Sequence, residues 1–172
     1  MTERPDQSKT HDSMRRVIVQ HGARLARAAW GYVDQAHDHE DLMQEILLAV
    51  WRALPHFRGA ASEKTFVLRI AHNRGVTFAA RRRRFAPIAD AEDQPDPAPS
   101  AEERLIGDQR RERLLAAVRK LNDSHRQAIM LHLEGLSTRE IADVQGISES
   151  NASVRLTRAR SALRAFLDGV NV

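Results

Sequence analysis

Arginine carries nearly all the positive charge of this chain: of 27 basic residues, only Lys9, Lys64 and Lys120 are lysines. A planar guanidinium fork matches phosphate oxygens and base edges better than an ammonium does. A GC-rich genome would also favour arginine, so distribution has to decide between function and codon usage. The arginines are clustered. Six of them and no acid fall between Arg69 and Arg84, and Arg155, Arg158, Arg160 and Arg164 lie in an acid-free window from Asn151 to Leu167. The second cluster follows Gly135-Leu-Ser-Thr-Arg-Glu140-Ile-Ala-Asp-Val-Gln-Gly146-Ile-Ser148. There Ser137 and Glu140 form a capping-box pattern, Gly146 marks a turn and Ser148 is placed to cap a longer helix. A short capped helix, a turn and an arginine-bearing helix make the helix-turn-helix pattern, whose second helix enters the major groove with its first residues on base edges.

Other chemistry is sparse. His37-Asp38-His39-Glu40-Asp41 packs five potential metal ligands together, but alternate positions do not share a helical face and no distant motif completes a site. The chain has no cysteine, which excludes disulfides, thiolate metal sites and a cysteine nucleophile. It also has no Gly-rich phosphate loop, Gly-x-Ser-x-Gly elbow or His-Glu-x-x-His. The expectation is a binding protein with no catalytic activity, cofactor or metal.

The elements that must position these groups are helical. Met14, Val17, His21, Leu25, Ala28 and Tyr32 recur at three- and four-residue spacing. A second helix is expected from near Asp38, with Asp41 in its first turn, to just before Pro55; a third follows an N-cap at Ser62. Between Phe85 and Glu103 there are six acids, no base and four of the six prolines. Such a segment has too little apolar surface to offset the entropy of ordering, so 86–99 is predicted to be an acidic tether. Helices resume with a capping pattern at Ser100 and Glu103, a stripe through Ile106, Leu114, Ala117, Val118 and Leu121, and a helix from about Asp123 to Glu134 ending at Gly135. The last helix points Leu156, Ala159, Leu163 and Leu167 inward. The predicted class is all-α: two small helical domains, 10–85 and 100–172, joined by the tether. The longest apolar run, Ile46 to Trp51, is far short of the ~20 residues that span a bilayer, and the first ten residues are polar. A cytoplasmic protein without membrane insertion is expected.

The helix-turn-helix segment together with Arg155-Leu-Thr-Arg158-Ala-Arg160 resembles domain 4 of the extracytoplasmic-function (ECF) sigma factors, small members of the bacterial sigma-70 family. Asp41-Leu-Met-Gln44-Glu45-Ile, Trp51-Arg-Ala-Leu-Pro55-His-Phe57-Arg58-Gly59 and Lys64-Thr-Phe66-Val-Leu-Arg69-Ile-Ala-His-Asn73 resemble their domain 2. The matches run in family order from about Val17 to Leu167. The resemblance implies that Asp41, Gln44 and Glu45 dock on clamp helices of the largest subunit of core RNA polymerase, with Leu42, Ile46, Ala49 and Ala53 facing the domain's own core. It implies that 57–84 opens the −10 promoter element. Melting needs a pocket for a flipped base, a stacking surface and cations for the strand, which makes Ser62, Lys64, Phe66, Arg69, Asn73, Arg81 and Arg82 the candidates. Phe66 is equally suited to the core. For the −35 element the candidates are Ser137, Ser148, Asn151, Ser153, Val154, Arg155, Thr157 and Arg158. Further implied partners are the polymerase's second-largest subunit, promoter DNA and an anti-sigma factor, with no homo-oligomer required.

Two positions depart from the family pattern. Glu63 stands where relatives carry an apolar or aromatic residue, and a carboxylate there repels a strand unless it accepts from a base amino group. Ser153 stands where a basic residue usually serves the −35 element. A stand-alone helix-turn-helix regulator, or a sigma-like decoy that titrates an anti-sigma factor, are the alternative functions.

Overall fold

A computed structural model describes residues 7–85, 113, 114 and 116–168, and all regular structure among them is helical. The elements are α1 (Gln7–Ala29), α2 (Ala36–Ala53) with a 3-10 turn at Leu54–His56, α3 (Glu63–Phe85), α4 (Asp123–Leu133), α5 (Thr138–Gln145) and α6 (Glu149–Asp168). The backbone at 113–114 and 116–119 is also helical. The expected tether at 86–99, the Ser100–Glu103 cap and Ile106 lie outside the described residues.

Helices α1–α3 form one bundle. Its core is the stripe Met14, Val17, Leu25 and Ala28 of α1 against Leu42, Ile46 and Val50 of α2 and Val67, Leu68, Ala71 and Phe78 of α3. Two expectations about α2 need correction. It begins at Ala36, so Asp41 sits in its second turn and Asp38 in its first. Asp38 is buried and pairs with Arg82 at 2.8 Å, which anchors that start against α3. The buried α2 stripe runs 42, 46, 50, whereas Ala49 and Ala53 are only half-buried.

The second bundle packs α4 and α5 on α6 through Ile129, Leu131, Ile141, Val144, Leu156, Ala159 and Leu163, with Ala117, Val118 and Leu121 buried beside them. Its ends follow from local chemistry. Asn122 accepts from the His125 amide and caps α4. Gly135 (φ +81°) and Gly146 (φ +65°) take the left-handed conformation that ends α4 and α5, where a Cβ is strained. No helix among the described residues is long and apolar enough to cross a membrane.

Candidate polymerase and nucleic-acid interface

Placing Leu42, Ile46 and Val50 inward turns the opposite face of α2 to solvent. Asp41 and Gln44 are exposed there, and Glu45, partly covered, pairs with Arg81 at 2.6 Å. The three polar groups therefore share one face. Beside them Leu48 and Trp51 are exposed and close a groove of about 640 Å³ against Met14, Arg15, Ile18 and Val19 of α1.

The start of α3 is built by side chains rather than by backbone alone. Ser62 accepts from the Thr65 amide at 3.1 Å and shares a 2.8 Å hydrogen bond with the Thr65 hydroxyl, which makes it the N-cap. Glu63, the departure from the family pattern, is turned back onto α1, where Arg16 lies at 3.1 Å and His21 at 3.2 Å. Arg16 counters the charge of the carboxylate, and His21 shares a hydrogen bond with it. Phe66 is half-buried and packs against the core, with its ring 4.6 Å from that of Phe57. It joins the core at its edge rather than standing free. Arg69 and Asn73 are exposed one and two turns further along α3. Arg81 and Arg82, at the far end, are half-exposed and already paired with Glu45 and Asp38. The −10 candidates are thus strung along α3 and do not converge on one pocket.

In the second bundle both expected caps are formed. The Ser137 hydroxyl meets the Glu140 amide at 3.2 Å, and Glu140 Oε2 accepts from the Ser137 amide at 2.9 Å. Ser137 and Thr65 together hold the Glu140 carboxyl below the usual carboxylate range, the backbone bond from Ser137 contributing most. Ser148 accepts from the Asn151 amide at 3.2 Å and caps α6. On α6, Asn151, Val154, Arg155 and Arg158 share one face at helical spacing, and Ser153 and Thr157 lie on the next. All but Arg155 are exposed. Arg155 donates to Asn151 at 3.0 Å and to Gln145 at 3.3 Å, and its charge reaches His72 of α3.

Several groups at the site carry no local signal in the sequence. Thr65 is buried and donates to Glu140 at 2.7 Å. Arg27 grips Glu134 with two bonds of 2.6 and 2.8 Å, and Arg126 donates to Asp34 at 2.6 Å. Each joins residues far apart in sequence, and periodicity reports only on neighbours. In the histidine-acid cluster, His39 stacks on Trp30 at 4.3 Å and its Nε2 meets the Ala26 carbonyl, while His37 and Arg82 both meet Asp38.

The Sigma-70 region 2 family model matches residues 17–85, and the Sigma-70 region 4 model matches 111–163. The chain is similar to RNA polymerase sigma factor CnrH of Cupriavidus metallidurans, at 30% identity over 166 residues covering 88% of this chain and 85% of CnrH. It belongs to the ECF group of the sigma-70 family. This sigma factor also aligns with the ECF sigma factor SigG of Mycobacterium tuberculosis, at 30% identity over 94% of its own length. It spans about half of that relative, 48%. Its fold matches CnrH in complex with the cytosolic domain of CnrY, with a TM-score of 0.66 and 26% identity over 92% of this chain and 90% of that one. It also matches the sigma factor RpoE in complex with the anti-sigma factor NepR from Bartonella quintana, with a TM-score of 0.70 and 21% identity over 91% and 97% of the two chains.

Proposed function

We propose that this chain is a promoter-specificity subunit, cytoplasmic and without a reaction of its own, that directs core RNA polymerase to particular promoters. Domain 10–85 docks on the polymerase through Asp41, Gln44 and Glu45 and melts the −10 element along Ser62, Lys64, Phe66, Arg69 and Asn73. Domain 100–172 binds the −35 element as duplex through the exposed residues of α6. The observation that carries this reading is that both sigma regions lie in order on one chain, each on its own helical bundle. Either contact alone is weak, and their fixed spacing on one polymerase makes them reinforce each other. CnrH and RpoE are held by CnrY and NepR, which supports an anti-sigma partner here as well.

Charged groups that become desolvated against oppositely charged partners contribute strongly to binding. Asp41→Ala with Glu45→Ala should therefore weaken core-polymerase binding by about 10- to 100-fold. The fold should survive, because Asp41 is exposed and the half-exposed Glu45–Arg81 pair contributes under about 1 kcal/mol. Fluorescence anisotropy with labelled protein and purified core enzyme measures the affinity, and circular dichroism checks the fold. An unchanged affinity in the folded variant removes the docking assignment. Specific binding to promoter duplex without any polymerase would point instead to a stand-alone regulator.

A further inference from the structure

We infer that the chain latches itself shut: the start of the helix-turn-helix occupies the −10 strand-binding end of α3, so the single strand and α5 compete for the same groups. Lys64 and Thr65 are the contacts. Lys64 donates to the Gly135 carbonyl at 2.6 Å, and Thr65 donates to Glu140 at 2.7 Å. With Ser62 bonded to Thr65, a continuous chain runs from the α3 cap to the capping box of α5. A strand that takes the Lys64 ammonium and the Ser62–Thr65 hydroxyls has to displace α5.

Four further ion pairs join the bundles. Glu134 is buried, with its side chain only 4% exposed, and is neutralised by Arg27 and, at 3.4 Å, by Arg24. Arg126, with a side chain 6% exposed, reaches Asp34 across the interface and Asp123 on its own helix. Arg83 adds a 2.9 Å pair with Asp123. Met130 lies against Gly31 at the same seam. Ion pairs and hydrogen bonds of this kind are features of interfaces that open. Buried charges regain water on separation, which offsets much of the Coulomb energy lost, whereas removing one partner leaves the other charge buried and drives separation.

The competition rests on the −10 assignment above, whereas the closure stands on the contacts themselves. Arg27→Gln with Asp34→Asn tests it without touching any proposed DNA or polymerase contact. Because the chain has no cysteine, dyes can be placed at Gln20→Cys and Ser161→Cys, both exposed. Energy transfer between them reports closure in the full chain. The dye-bearing parent is expected to show high transfer at low salt, falling as salt screens the pairs and on adding the non-template −10 strand of a promoter the protein transcribes. The double variant should start at low transfer and bind that strand about tenfold more tightly, since less of the chain is held in the closed form. Equal transfer in parent and variant overturns the latch whatever the DNA does. Lower transfer in the variant with unchanged strand affinity overturns the competition. Strand binding by neither protein, with or without core polymerase, overturns the −10 assignment and the competition with it, and energy transfer still reads the closure.

Discussion

Gly75→Ala is expected to destabilise the protein by about 2–3 kcal/mol, opposite in sign to the ~1 kcal/mol gain that alanine normally brings inside a helix. Gly75 lies within α3, and a Cβ there would overlap the Tyr32 ring, 2.5 Å from Cδ2 and 2.6 Å from Cδ1. The ring cannot swing away cheaply. Tyr32 is buried, and its hydroxyl shares a 2.8 Å hydrogen bond with His72 Nδ1, so displacement both overpacks the core and sacrifices a buried hydrogen bond. Urea unfolding of the single variant measures the cost. Adding Tyr32→Leu should recover part of it, because removing the hydroxyl-bearing ring also removes the overlap; the coupling in that double-mutant cycle is the diagnostic. A Gly75→Ala protein as stable as the parent contradicts this packing.

Acid should weaken the same cluster. Burial, reinforced by the charge of Arg155, pushes the His72 imidazole down to about 4 from its ordinary 6.5. The folded value lies below the unfolded one, so on acidification the unfolded chain takes up this proton first. Stability from the neutral ring is therefore complete above about pH 6.5, erodes as pH falls through the window and is lost below about 4, a total of ~3 kcal/mol. Unfolding free energies measured between pH 7 and 4.5 should fall steadily for the parent and much less for His72→Gln. The Glu140 carboxyl is held under the usual carboxylate range by its bonds from Ser137 and Thr65. Parallel slopes for the two proteins would remove His72 as the source.

The local grammar of the second bundle was legible in advance. Ser137, Glu140, Gly135, Gly146 and Ser148 each act within four residues of themselves, and each cap or turn forms where its residue type requires. Helical stripes were legible for the same reason, although the choice of Val50 over Ala49 and Ala53 depends on how α2 lies against α1 and α3. The all-α class and sigma membership followed from those signals together with the ordered motifs.

Contacts that depend on how the bundles meet were out of reach. Arg27 and Glu134 are 107 positions apart, and Thr65 and Glu140 are 75 apart. Nothing in the spacing of either residue points to the other. Glu63 is the instructive case: alone it looks hostile to DNA, and only the fold brings Arg16 and His21 of α1 to its carboxylate. Likewise Arg155 is a −35 candidate from sequence, and the fold draws its guanidinium along the helix surface to Asn151 and Gln145.

Run-off transcription tests whether this chain confers promoter choice on RNA polymerase. Purified core enzyme is supplied with genomic promoter templates, with and without the protein. Transcripts from discrete start sites are expected only when both are present. Stable binding to core polymerase without any such transcript would contradict that role.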